Sequence, residues 1–452
     1  MKKSRFTITT THYILFSFLI AILVGSVLLA LPISSASGQA TPFIDALFTA
    51  TTATCVTGLV VVPTVTAWSL FGQIVILVLI QIGGLGIITI IASITVFLHR
   101  RMGLADRLLL QDAFNLNTLS GLEVFVKKVI KGTFIIEGIG AGLYMTVFVP
   151  QFGLKGIWIS IFTSISAFCN AGIDIIAENS LCDYALNSMI NVTTSLLIIL
   201  GGLGYIVWWD LMRVSKERRT RKTPFWRSLT LHSKIVISAT AGLILVGGIL
   251  ILLFEYNNPN TIGGYSFMEK VEAALFQSVT TRTAGFATIP QENLSNASAI
   301  ICLLLMFIGG SPVGTAGGIK TVTFVVLIAS AYATIRNQKE VNLFGRSLSK
   351  EVVSKAAAVT SMSFAIMFIS TILLSAVTNA DALDILYETV SATATVGLTR
   401  NLTPVLNAYG KLIIIATMYL GRVGPISLAV AFNFKREKKN IIKNPTEEIS
   451  VG

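Results

Sequence analysis

The chain has 452 residues, of which 53% are hydrophobic and only 12% charged, with a formal net charge of +12. A soluble domain carries about 25% charged residues, so a cytosolic enzyme, a disordered chain and a coiled coil are excluded, and lipid must solvate most of the surface. Four cysteines in apolar settings (Cys55, Cys169, Cys182, Cys302) are too few for a disulfide scaffold, and His12, His99 and His232 lie too far apart for a metal site.

From the N-terminus, the bases Lys2, Lys3 and Arg5 precede an apolar run, Tyr13–Leu31. Nineteen residues at about 1.5 Å each cross roughly 30 Å of hydrocarbon, and the core of a cleaved signal peptide is usually shorter, so this run is predicted to be a span. Next comes a short segment, Ile44–Ala53, at most roughly 20 Å long as a helix and too short to cross. A turn at Gly58 and a longer second span, Trp68–Leu98, complete the first unit. Three further units follow the same plan, with first spans such as Ile235–Phe254 and Ala356–Val377. The predicted organisation is 1–98 (first unit), 99–128 (cytoplasmic loop), 129–213 (second unit), 214–234 (cytoplasmic basic loop), 235–335 (third unit), 336–355 (cytoplasmic loop), 356–434 (fourth unit) and 435–452 (cytoplasmic tail).

Most of the bases fall at the N-terminus, in 100–131, in 213–234, in 336–355 and in the tail. Long apolar runs separate these clusters and they lack a regular interleaving of bases with aromatic residues, which speaks against a nucleic-acid surface. The positive-inside rule accounts for them if all five are cytoplasmic. Each intervening stretch then leaves and returns, so both termini are cytoplasmic. The bases also face anionic membrane lipids, at up to about 1 kcal/mol each.

Four segments align on a glycine: Thr54-Cys-Val-Thr-Gly58, Phe168-Cys-Asn-Ala-Gly172, Thr281-Arg-Thr-Ala-Gly285 and Thr393-Ala-Thr-Val-Gly397. The glycines are 114, 113 and 112 residues apart, close to a quarter of the chain. Thirteen residues before the glycine stand Asp45, Glu272 and Asp384, with Ile159 in the second unit. Some 24 to 29 residues after it come the clusters 83–86, 201–204, 309–312 and 421–424. The fold class that follows is an all-α polytopic membrane protein. It has four parallel units of span, pore helix, loop and span around a pseudo-fourfold central pore, with eight full spans and four re-entrant helices. Parallel repeats place their axis along the membrane normal, so the four loops converge on one path.

The loop residues are small or apolar, which leaves backbone carbonyls as ligands for a dehydrated cation. These carbonyls belong to Val56, Thr57, Gly58, Asn170, Ala171, Gly172, Thr283, Ala284, Gly285, Thr395, Val396 and Gly397. The acids Asp45, Glu272 and Asp384 are expected to favour the N-termini of the short helices, rather than to attract ions. Arg282 is expected to point into the protein. The glycines of 83–86 and 201–204 are read as close helix packing. The third unit differs: Gly309, Gly310, Ser311, Pro312, Val313, Gly314, Thr315, Ala316, Gly317 and Gly318 carry five glycines and a proline. These penalties sum to about 8 kcal/mol against a helix. A loop within the membrane, acting as a gate, is expected there. Arg422 replaces the glycine of the other units, costs about 2.5–3.5 kcal/mol at the bilayer centre and needs partners. Carbonyls of the broken loop are the natural ones, with Lys320 alongside. Glu137 is read as a buried hydrogen bond or ion pair.

The motifs TATCVTGL (52–59), FCNAGI (168–173), TTRTAGF (280–286), ATATVGL (392–398) and GGSPVGTAGGIKT (309–321) resemble those of the Trk/Ktr/HKT superfamily of cation transporters, over essentially the whole chain. The shorter Ktr-type membrane subunits are the nearest match. The resemblance implies K⁺ uptake, often Na⁺-stimulated, by a homodimer with one pore per subunit and a cytosolic nucleotide-binding regulatory ring of KtrA-like subunits. It also implies that glycine in all four loops goes with K⁺, that 309–321 gates and that Arg422 is its partner. K⁺ is then the transported ion, and no covalently bound cofactor is expected. A Na⁺- or H⁺-coupled K⁺ symporter is the alternative. A membrane enzyme lacks a nucleophile–base pair, and a scaffold leaves the loop glycines unexplained.

Overall fold

The computed structural model describes residues 10–86, 89, 122–221 and 224–424. The N-terminal bases, most of the 99–128 loop, residues 87, 88 and 90–98 of Trp68–Leu98 and the 435–452 tail lie outside the described residues. The described chain is predominantly helical, and each quarter contains a helix, a shorter helix, a loop and another helix. The first quarter holds α1 (Thr10–Ala30), α2 (Phe43–Thr54) and α3 (Leu70–Leu85). The second holds α4 (Leu122–Phe152), α5 (Leu154–Cys169), α6 (Ser188–Leu203) and α7 (Tyr205–Arg221). The third holds α8 (Leu231–Glu255), α9 (Phe267–Thr280), α10 (Asn296–Phe307) and α11 (Thr321–Ile335). The fourth holds α12 (Lys350–Val377), α13 (Ala382–Ala394) and α14 (Ala408–Val423).

Among the described residues, four helices are long and apolar enough to cross a membrane, namely α1 from His12, α4, α8 and α12; the bent pair α6–α7 makes a fifth if counted as one span. Their outer faces leave large apolar side chains exposed, such as Leu253 on α8 and Ile372 on α12. Water penalises such faces, whereas hydrocarbon does not.

The helix following each loop starts on a side-chain cap. Ser69, Asn187, Ser295 and Asn407 each accept from the backbone N–H three residues on. Such a cap contributes about 1 kcal/mol by pairing one orphan donor. The far ends were not foreseen. Trp68–Leu98, read as one long span, is helical in α3 only to Leu85, because Gly86 takes φ +82°. Gly204 and Gly424 end α6 and α14 in the same way, at φ +85° and +89°. At Gly204 the chain turns by 94° into α7. Apolar residues run across these points, so hydropathy does not mark the break; only the backbone angle, open to glycine at little cost, does.

The all-α expectation needs one small amendment. Between α11 and α12 a two-residue hairpin joins β1 (Val341–Leu343) to β2 (Arg346–Leu348), with Phe344 and Gly345 both at positive φ, as the twist of a tight hairpin requires.

The first and last quarters meet without a covalent link. Their junction is a shared apolar cluster containing Phe48 and Leu59 from one side and Leu374, Ile414 and Met418 from the other.

Candidate functional site

The four aligned loops come together. In the first, second and fourth quarters the short helix lies against the helix after its own loop, and glycine permits the contact. A Cβ on Gly83, Gly201 or Gly421 would meet the carbonyl oxygen of Thr54, Phe168 or Thr393, respectively. Those residues stand four before each loop glycine. The glycine clusters therefore do pack helices closely, and they also supply the breaks described above.

Within each loop two residues take positive φ. They are Val56 and Gly58, Asn170 and Gly172, Thr283 and Gly285, and Thr395 and Gly397. Val56, Thr283 and Thr395 are β-branched, for which this conformation costs on the order of 1–3 kcal/mol. Strain repeated at one position in three loops is held there by the surrounding structure. Alternating the sign of φ along an extended strand turns successive carbonyls to the same side.

The four loops meet at a common centre, where they follow one another in cyclic order. A Cβ on Gly58, Gly172 or Gly285 would lie 2.5 Å from the carbonyl oxygen of Ala171, Ala284 or Val396, and one on Gly397 would strike that of Thr57. Each glycine thus faces the next quarter's loop, and the fourth closes on the first.

Hydroxyls hold the loops from behind. Thr52 Oγ1 accepts from Gly58 N at 2.9 Å and Ser391 Oγ from Gly397 N at 3.0 Å. Ser166 Oγ accepts from Ile173 N at 3.1 Å, and Thr280 Oγ1 donates to Phe286 O at 2.6 Å. Sequence reasoning missed these four residues. The signal was available: a hydroxyl stands five or six residues before every loop glycine. All four are fully buried.

Residues 309–318 form no helix. The segment closes at its neck, where Gly309 N donates to Ile319 O at 2.9 Å and Thr321 N donates to Gly310 O at 3.0 Å. It is stitched to the α6–α7 elbow by Ser311 N to Gly202 O, Thr315 N to Gly201 O and Tyr205 N to Val313 O. It also touches the loops: Gly317 N donates to Thr283 Oγ1 at 3.1 Å, and Thr315 Oγ1 donates to Phe168 O. Arg422 donates from Nη1 to Thr315 O at 2.7 Å and from Nη2 to Gly83 O at 2.5 Å. Lys320 Nζ donates to Ala316 O at 2.6 Å. A cavity of about 370 Å³ is lined by Gly314, Gly317, Lys320 and Arg422 together with Gly83 and Gly84.

The remaining charges are also placed. Arg282 is buried. Glu137 accepts from Gln81 Nε2 at 3.1 Å. Asp45 and Asp384 lie in the first turns of α2 and α13. Glu272, read as an N-terminal acid, sits a turn further in, and it is Glu269 that closes a capping box with Ser266. Asp45, Glu272 and Asp384 all bind protein groups: Asp45 accepts from Lys411 Nζ at 2.6 Å, Asp384 from Arg400 Nε at 2.7 Å, and Glu272 from Ser188 and Asn191.

A family model described as TrkH, a cation transport protein, matches residues 4–444. The chain belongs to the TrkH family. Relatives agree along its whole length. Ktr system potassium uptake protein B of Bacillus subtilis is 39% identical over 100% of this chain and 98% of its own. Potassium/sodium uptake protein NtpJ of Enterococcus hirae is 37% identical over 100% of this chain and 99% of its own. The crystal structure of the potassium transporter TrkH from Vibrio parahaemolyticus superposes with a TM-score of 0.74 at 17% identity, covering 96% of this chain and 88% of that one. The TrkH-family fold and the apolar helices make this a multi-pass membrane protein of a cation transport family.

Proposed function

We propose that this TrkH-family chain is the K⁺-translocating subunit of a potassium uptake system, with a carbonyl filter at the four loops and the 309–318 segment as its gate. The observation that carries this reading is the closed cycle of glycine contacts, in which each loop presents the carbonyl preceding its glycine to the neighbouring glycine. Rings of carbonyls replacing hydration water are a known physical route to K⁺ conduction. The names of the full-length relatives, which refer to potassium and to potassium/sodium uptake, support the substrate class.

The finer architecture belongs to the same proposal: four parallel units with eight spans and four re-entrant helices, both termini cytoplasmic. So do assembly as a homodimer and with a KtrA-like cytosolic nucleotide-binding subunit; three relatives named as proteins of a Ktr system support a multi-component system. The gating role rests on position. The broken segment touches Thr283 and Phe168 at the base of the loops, while the cavity beside it is lined by the basic side chains Lys320 and Arg422, and positive charge there would repel a passing cation.

Uptake of radioactive Rb⁺ by liposomes containing the purified protein tests the function. Uptake driven by an outward K⁺ gradient is expected, with excess external K⁺ suppressing it and equal Na⁺ leaving most of it. Uptake no faster than that of empty liposomes under every gradient contradicts the proposal.

A further inference from the structure

The outer ends of the short helices show a second cycle. In three of the four helices that follow the loops, the residue four beyond the cap reaches toward the next quarter. Gln73, four beyond Ser69, accepts at Oε1 from Trp158 Nε1 on α5 at 2.8 Å. Asn191, four beyond Asn187, donates to Glu272 Oε1 on α9 at 3.0 Å, and Ser188 Oγ donates to Glu272 Oε2 at 2.7 Å. Lys411, four beyond Asn407, donates to Asp45 on α2 at 2.6 Å. In the third quarter the equivalent residue is Ala299, which has no polar group, and Arg400 spans the gap instead. Its Nε donates to Asp384 on α13 and its Nη1 to Gln291 O at 3.0 Å.

The two cycles run in the same sense. Each short helix is therefore tied to the same neighbouring quarter at both ends, by a polar junction outside and by the glycine–carbonyl contact inside. The helix between them is rigid. For α9, with 14 residues, the lever is about 21 Å long, and a tilt of about 3° displaces one end by roughly 1 Å relative to the other.

We infer that this outer ring sets the spacing of the loop carbonyls, and that Glu272, held by Ser188 and Asn191, is a specificity-determining positioning residue for the permeating ion. The inference rests on reading the loops as the filter. Discrimination between alkali ions depends on the size of the carbonyl cage or on the number and field of its oxygens, and either changes when one of four walls moves. Glu272 is the junction with the firmest anchor. The buried Asn191 amide also donates to Ala185 O at 2.8 Å, fixing its nitrogen toward the carboxylate. An acid that bound ions instead would leave its oxygens to solvent, whereas both oxygens of Glu272 are taken by α6.

The experiment compares Rb⁺ with Na⁺ uptake by liposomes containing wild type, E272L, E272Q, N191L or G172S. E272L is expected to lower the Rb⁺:Na⁺ ratio about fivefold or more, as loss of a hydrogen-bonded charge implies, with Rb⁺ uptake still measurable. E272Q keeps acceptor and donor atoms for Asn191 and Ser188 and is expected to return most of the ratio. N191L approaches the junction from its other side and serves if E272L does not fold. A ratio unchanged in E272L and N191L, with only the melting temperature lowered, overturns the inference, provided G172S shifts the ratio and so upholds the filter. If G172S also leaves the ratio unchanged, the filter reading falls and this inference with it.

Discussion

Gly397→Ala is expected to abolish K⁺ selectivity and most of the flux. Gly397 has φ +99°, and its Cβ would strike Thr57 O while approaching the Gly58 Cα to 2.9 Å. An L-residue in a left-handed conformation costs about 1–2 kcal/mol even without neighbours. Here the neighbour is backbone that cannot rotate away. The Thr57 carbonyl must move, and with it one wall of the ring. At about 1.4 kcal/mol per tenfold change, displacement of a single carbonyl suffices to erase a hundredfold preference. Rb⁺ and Na⁺ uptake measured side by side in liposomes checks this, with the protein's melting temperature as a control for folding. A variant that keeps both its flux and its preference would show that Gly397 does not lie at the ion path.

Arg422→Ala is expected to raise Rb⁺ flux about tenfold. The guanidinium ties the 309–318 segment, through Thr315 O, to Gly83 O at the end of α3. Hydrogen bonds from a charged donor contribute roughly 1.5–3 kcal/mol each, so removing both loosens the segment from α3 while its bonds to the α6–α7 elbow remain. Removal also deletes a positive charge from the cavity wall, and such a charge at about 8 Å opposes a cation by about 2 kcal/mol at an effective dielectric constant near 20. Arg422→Lys keeps the charge and one donor and is expected to fall between. If Arg422 were only a structural bolt, the alanine variant would lose flux and thermal stability together. Uptake kinetics at matched protein content separate the two outcomes.

Much of this arrangement was legible in the sequence. The 112–114-residue spacing of Gly58, Gly172, Gly285 and Gly397 located four loops that the structure brings to one centre, and the density of glycine with Pro312 located the non-helical segment. Both signals are strong because each reflects a backbone requirement that few residue types meet. The breaks at Gly86, Gly204 and Gly424 were not legible: one glycine within an apolar run serves equally well for packing, and only the observed φ distinguishes the two uses. The outer junctions were hidden for a different reason. Aligning acids 13 residues before each glycine found Asp45, Glu272 and Asp384 but not what they bind. The partners Lys411, Asn191 and Arg400 differ in chemical type, Arg400 also stands outside the position that Lys411 and Asn191 share, and in the second quarter Trp158, next to the aligned Ile159, does the work of an acid. A geometric constraint met by an ion pair, an amide and an indole leaves no common residue to read. The hydroxyls of Thr52, Ser166, Thr280 and Ser391 were within reach of the same alignment, since they keep nearly constant phase with the glycines.

If the four loops supply peptide oxygens to one dehydrated alkali ion, that ion must be found at their centre. Anomalous X-ray diffraction from crystals of the protein grown in Rb⁺ or Tl⁺ tests it most directly. An anomalous peak is expected on the axis enclosed by Gly58, Gly172, Gly285 and Gly397, within ligand distance of the Thr57, Ala171, Ala284 and Val396 oxygens. Well-ordered loops with no peak at their centre, or a peak bound elsewhere by side-chain carboxylates, would contradict it.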